Sequence, residues 1–407
     1  MRVAALVLML VATPAFALRD HLVVHEWGTF TALQDENGNA IGGININDEA
    51  LPKFVHRIGP GLFSDENGGK GIAIGHPDVT MRLETPVMYF YPAETSDKQY
   101  TLNVSATFVG GVLSEFYPNA VTTMGGKPLK EVPGSISSSM RGGLTWNGIQ
   151  LGGNVRLPIT NSHVWIAPRA VDSSPVTVGM EAEQYIFYRG AGHFDAPIKV
   201  IRSQDGKSIT VQDNGLNPAD GGVHRELMPL VQTWRAEFRA DGSCAYDRLT
   251  YQTIGDGPTK PPSFSATFPD SEFTTEHVAE LRKQMREALI ASGLYEKEAE
   301  AMLETWKLSY FKSPGQRLFF MVPREWTDHV LPLEISQKCE LVRTMIGRIE
   351  LVTPEQSVAA ARLVDPKAKL DNPTAIALRK SLGRFAEPII QEAARKRTPV
   401  AVKAVVN

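Results

Sequence analysis

The chain reads as an α+β protein, predominantly β, with a sandwich or jelly-roll-like body and a C-terminal α-helical portion packed on it. Three observations predict this. Short β-branched and aromatic runs recur from Leu22 to about Tyr251. Glycine (34) and proline (27) are plentiful, as many turns between short strands require. Beyond a proline-rich shift at Pro258 to Pro269, the apolar spacing becomes helical, three or four residues apart.

In chain order, strands are expected over Leu22 to Leu33, Val79 to Tyr91, Tyr100 to Phe108, His163 to Ile166, Tyr185 to Tyr188, Ile198 to Ile201, Ile209 to Gln212 and Val231 to Phe238. Asp205-Gly206 between two such runs suggests a type I′ hairpin, and Asp241-Gly242 another turn of that kind. Asn37 to Gly75 (nine glycines) and Met124 to Gly153 look like long loops that cover a face or line a cleft. Val278, Leu281, Met285 and Leu289 mark one face of a helix that Gly293 ends, with a second helix over Glu296 to Trp306. Arg317 to Val322 returns to strand texture, and Leu341 to Leu351 fits either strand or helix. Thr353-Pro354-Glu355-Gln356 announces a helix by its cap, its proline and its glutamine. The stretch Asn372 to Lys396 is helical, and its basic end, Arg395-Lys396-Arg397, suits a helix C-terminus.

Residues 1–17 have the pattern of an export signal: Arg2, an apolar run from Val3 to Val11, and a small-x-small site at Ala15-Phe16-Ala17. The run is far short of the roughly 20 residues a membrane span needs, so a periplasmic or secreted protein without a transmembrane anchor is expected. The division is then a signal at 1–17, a β-rich body at 18–255 and an α+β portion at 256–407 that does not stand alone, because the strand near Arg317 needs a sheet to join. Apolar residues make up 43% and charged residues 21%, as in globular proteins. The signal carries one arginine and no acid, leaving 41 basic against 45 acidic residues, too balanced for a nucleic-acid partner. The two cysteines, Cys244 and Cys339, are either a disulfide or two separate thiols. A bridge closing so long a loop would contribute up to about 4.7 kcal/mol.

The serine-hydrolase, P-loop and dinucleotide fingerprints are absent from the sequence. His25-Glu26 opens like a zinc-protease motif, but Thr29 occupies the second histidine's place. Asp35 to Asn39 resembles a calcium loop, yet Ala40 stands where glycine is required and Ile46 where a glutamate should close it. A copper-oxygenase histidine brace needs an N-terminal histidine, and the expected cut leaves Leu18 first.

The block Val24-His25-Glu26-Trp27-Gly28-Thr29-Phe30-Thr31 resembles the opening of a family of exported bacterial proteins. Three other segments fit the same resemblance: Glu84 to Tyr91, Phe187-Tyr188-Arg189-Gly190, and Pro323 to Asp328 leading into Leu331-Pro332-Leu333. The resemblance implies export and one integrated architecture over nearly the whole mature chain. No activity comes with it.

Two classes of function follow from the residues. One is an extracytoplasmic ligand-binding or scaffold protein for a glycan, peptide or small ligand, using Trp27, Tyr89, Tyr91, Arg189 and Arg324. The other is a metal-assisted secreted enzyme, a hydrolase by preference, holding one divalent ion with His25, Glu26, Glu84, His193 and Asp195. Arg82 and Glu84, two residues apart on a strand, share a face and suggest an ion pair.

Overall fold

Leu22–Gln34 forms the first strand, β1, and all thirteen of its residues are buried. A strand hidden on both faces needs a layer on each side. The computed structural model, which describes residues 19–47, 51–59, 64–65, 75–94, 100–214, 232–249 and 263–397, has that arrangement. The expected signal lies outside these residues.

Three two-residue strands follow β1: β2 (Ile46–Asn47), β3 (His56–Arg57) and β4 (Ser64–Asp65). Then come β5 (Met81–Tyr91), β6 (Thr101–Val109), β7 (Gly111–Tyr117), β8 (Val121–Met124), β9 (Lys127–Pro128) and β10 (Arg141–Leu151). Helix α1 (His163–Ile166) precedes β11 (Val176–Val178), β12 (Glu181–Glu183), β13 (Ile186–Gly192), β14 (Ile198–Arg202) and β15 (Ser208–Asp213). The hairpin β16 (Thr233–Phe238) and β17 (Cys244–Leu249) leads to β18 (Ser263–Ser265), α2 (Glu276–Ala291) and α3 (Glu296–Thr305). Last are β19 (Gly315–Met321), α4 (Arg324–Val330), β20 (Leu333–Ile335), β21 (Cys339–Leu351), α5 (Pro354–Leu363), α6 (Asn372–Ser381) and α7 (Ala386–Arg397).

The central sheet has nine strands in the order β17-β16-β19-β21-β1-β5-β13-β7-β3. Its neighbours run antiparallel except β1 and β21, which pair in parallel over their full length. A second sheet, β12-β11-β10-β6-β20 with β8 and β9, packs face to face on one side, where Val24, Phe30, Phe90 and Tyr188 meet Leu102, Val104, Phe108 and Trp146. Strand β6 alternates between buried and less buried residues, because its outer face has no layer over it. The opposite face of the central sheet presents Trp27, Val87, Tyr89, Phe187 and Phe319 to Leu281, Met285 and Leu289 of α2 and to Ala299 and Met302 of α3. The result is a sandwich with a helical cover. Strands β19 and β21, from beyond residue 255, lie inside the same sheet as β1 and β5.

Helix ends follow the residues that announce them. Gly293, at φ +106°, closes α2 in a Schellman arrangement: Leu294 donates to Leu289 and Gly293 to Ile290. Thr353 caps α5 through the Gln356 amide, and the Gln356 side chain accepts from the Thr353 amide. The final helical stretch is two helices, α6 and α7, separated by a 3₁₀ turn at Gly383–Phe385.

Three expectations need correction. His163–Ile166 is a helical turn rather than a strand, with Val164 and Trp165 packed inward; four residues are too few to show a period. The supposed loop from Met124 to Gly153 contains β10, a full partner of β6. Its glycines hide the strand pattern: a Cβ on Gly142 would lie 2.7 Å from the Gly111 carbonyl oxygen. Asp205-Gly206 is not a type I′ turn, since Gly206 alone of the pair has positive φ (+72°) and donates to the Ser203 carbonyl. Asp241-Gly242 repeats that arrangement, with Gly242 donating to Arg239. The cysteines, left open between a disulfide and two separate thiols, are both free. Strand register places them roughly 40 Å apart along the sheet at about 3.3 Å per residue, against the 7 Å limit for Cα atoms in a disulfide.

Candidate functional site

On the helix-facing side of the central sheet, seven neighbouring strands set polar residues in one transverse row. Arg317 on β19 pairs in register with Glu350 on β21. Arg348, two residues back on β21, lies opposite Thr31 of β1, and Thr31 lies opposite Arg82 of β5. Arg189 of β13 faces Glu115 of β7, which in turn faces Arg57 of β3. Glu84 shares the face of Arg82, as the two-residue spacing requires.

Each carboxylate joins two arginines. Glu350 Oε1 lies 3.3 Å from Arg317 Nε and 3.4 Å from Arg348 Nε. Glu84 Oε1 lies 3.2 Å from Arg82 Nε and 3.6 Å from Arg348 Nη2. Glu115 binds Arg189 closely, and its Oε1 lies 3.0 Å from Arg57 Nε. Arg82, Arg189, Arg317, Arg348 and the three glutamates are all buried. Among the described residues the buried part of the row therefore holds four positive charges against three negative.

These charges are not equally satisfied. Arg317 donates to the carbonyls of Ser309, Tyr310 and Ser313, the turn of a π-helix at Leu308–Lys312 that lies over this end of the row. π-Helical turns recur at functional sites. Tyr310 of that turn donates to Thr29 and lies beneath the Arg348 guanidinium, 5.5 Å from it. Arg348 itself is fully buried, yet no nitrogen of its guanidinium has a hydrogen-bond partner. Both Glu84 oxygens and the Trp306 indole N–H, beside Tyr310, also lack one. A charged buried group without hydrogen bonds is costly, which singles out Arg348, since Glu84 is attended by Arg82 at 3.2 Å and by the Thr31 side chain.

Glu84 and its neighbour Arg82 both keep their charge at neutral pH. Burial works to raise the Glu84 carboxyl, but Arg82 and then Arg348 outweigh it and hold it below its usual value. Burial lowers the Arg82 guanidinium to about 10 despite the help of Glu84.

The five residues considered as metal ligands do not converge. His25 and Glu26 point to opposite faces of β1. His25 Nδ1 lies 2.7 Å from Glu298 Oε2 beneath α3, and Glu298 also accepts from the Tyr91 hydroxyl and the Tyr295 amide. Glu26 accepts from Tyr188 and, at 2.6 Å, from Arg343 on the sheet-facing side. Glu84 belongs to the arginine row. His193 Nδ1 is 2.6 Å from the Asp78 carbonyl oxygen, and Asp195 is exposed with Lys199 at 3.9 Å. Among the described residues no three His, Cys, Asp or Glu side chains gather as a metal site would need.

The aromatic platform is likewise covered: Trp27, Tyr89 and Tyr91 are buried under the helical layer, with the Tyr89 hydroxyl donating to Pro168. Arg324 sits apart on the surface, paired with Asp328. Arg189 alone of the five ligand-binding candidates lies in the row. Asp35 is held by the Asn37 and Asn39 amides and by Lys396, whose ammonium stands where a calcium loop would hold its ion. Sequence reasoning missed Glu115, Arg317, Arg348 and Glu350. Their signal was present, because Arg-Ile-Glu in Ile346-Gly347-Arg348-Ile349-Glu350-Leu351 alternates charge with apolar residues inside a strand.

No protein-family model matches the chain, and no curated protein matches it. Among the described residues no helix is long and apolar enough to cross a membrane.

Proposed function

We propose that this is an exported protein that binds a small anionic ligand at the arginine row, with Arg348 as its anchor. The observation carrying this reading is the Arg348 guanidinium, wholly buried and without a hydrogen bond from any of its three nitrogens. Guanidinium donors form a rigid fork suited to a carboxylate or phosphate. Charges that persist across neutral pH suit holding an anion more than moving protons. Export rests on the leader-like residues 1–17 and the family resemblance. The metal-assisted hydrolase draws on five ligands that the fold disperses, so binding is the stronger reading.

The test is thermal denaturation at constant ionic strength with acetate, phosphate or sulfate, and glycerol as the neutral control. A bound anion raises Tm by mass action, about 2.7 kcal/mol of stabilisation at a hundredfold excess over Kd. Arg348→Gln should abolish the shift. Equal melting with every anion and with glycerol would overturn the proposal.

A further inference from the structure

We infer that His21 is a pH-sensitive clip, fastening the start of β1 to β21 as an imidazolium. The residue stands immediately before β1, and its ring lies between two carboxylates. Nδ1 is 2.5 Å from Asp20 Oδ1, and Nε2 is 3.0 Å from Glu340 Oε2 on β21. An ionised carboxylate only accepts hydrogen bonds, and a neutral imidazole has one N–H for its two nitrogens. Filling both contacts therefore takes both N–H groups, and with them the positive charge. His25 and His56 each meet a carboxylate through one nitrogen, where a single N–H suffices.

The clip sits where fastening counts. Leu22 opposite Cys339 is the first pair of the parallel β1–β21 ladder, and frayed ends are where a structure opens most readily. On the β21 side of this start stands Glu340. On the β5 side Glu94 pairs with Arg19, its amide donates to the Arg19 carbonyl oxygen at 2.8 Å, and the Arg19 guanidinium lies 5.6 Å over the Tyr91 ring. One side of the strand is thus held by an arginine, the other by a histidine, the side chain whose charge changes near neutral pH. The bond to Asp20, then that to Glu340, raises His21 above its usual 6.5, and His21 in turn holds Asp20 below its ordinary 3.8. The clip is therefore closed at pH 6.5 and opens as pH rises through the higher folded value.

Titration of the full chain followed by nuclear magnetic resonance tests this. The His21 ring should carry protons on both nitrogens at pH 6.5 and lose its charge with a midpoint above that value. Glu340→Gln should move the midpoint down. Both side chains are largely exposed, so the variant should keep its fold, and the native midpoint decides without it. Exchange protection of the Leu22 and Val23 amides, corrected for intrinsic pH dependence, should fall about two- to fivefold across the His21 transition, the scale of an exposed ion pair. In Glu340→Gln that step should vanish. A His21 midpoint at or below 6.5, or one unmoved in Glu340→Gln, would overturn the inference. So would amide protection that passes through the His21 transition unchanged.

Discussion

Glu26 and Glu84 lie on opposite faces of the same sheet, each beside an arginine of β21, and their surroundings differ. Glu26 accepts from Arg343 and Tyr188, and Arg343 also reaches Asp328 and the Leu331 carbonyl. That set is complete, so its role is cohesion. Glu26→Gln would leave the Arg343 charge buried with a weakened partner, and chemical denaturation should show a loss of about 3–5 kcal/mol. Glu84 adds a pH signature. Its carboxyl is held below the ordinary 4.5, so its stabilising contribution is present above that pH and lost as pH falls through the lower folded value. Acid titration of Glu84→Gln should therefore show a shallower loss of stability below about pH 4.5 than the native chain shows. Identical acid profiles would contradict the ionised Glu84 described above. At this scale the sequence was half legible. Two-residue spacing put Arg82 and Glu84 on one face, and adjacency put His25 and Glu26 on opposite faces. The partners Arg348, Glu115 and Glu298 come from strands and helices far along the chain, and nothing in a single sequence records that pairing.

Among the elements, the termini were the most legible because they depend on a few adjacent residues. Thr353 with Gln356, and Gly293 after α2, act within one turn of chain, and both motifs form as their residues announce. Thr353→Ala should cost about 1 kcal/mol, read as a lower denaturation midpoint with an unchanged slope. Strand β10 was illegible for the opposite reason. Its glycines answer to the distant strand β7, against which Gly142 packs too closely for a side chain. Gly347 in β21 is a second such place, where a Cβ would stand 2.3 Å from the Phe320 ring and 2.8 Å from the Phe30 ring. Gly347→Ala should therefore destabilise by about 1–3 kcal/mol through overpacking. An alanine tolerated there at no cost would mean that the Phe320 and Phe30 rings, on the strands either side, give way more easily than their packing suggests.

Across the whole molecule, the parallel pairing of β1 with β21 ties the beginning of the described chain to its last strand. A predominantly β body with helices to its C-terminal side was legible from period and composition. Residence of β19 and β21 inside the central sheet is a property of topology, and only the need of Arg317 to Val322 for a neighbour hinted at it. The row itself exists only at this scale, since β19, β21, β5, β13, β7 and β3 each bring a charge to it and β1 brings Thr31. Cleaving the chain at an engineered protease site between residues 255 and 256 should accordingly give two fragments that stay associated. Fragments that separate and each unfold cooperatively would contradict an integrated sheet.

The central claim is that the Arg348 guanidinium serves a partner from outside the chain, and a crystal structure at atomic resolution, grown with phosphate, tests it most directly. The account predicts a bound anion whose oxygens accept from Arg348. A structure in which the Arg348 nitrogens all donate to oxygens of the protein itself would contradict it.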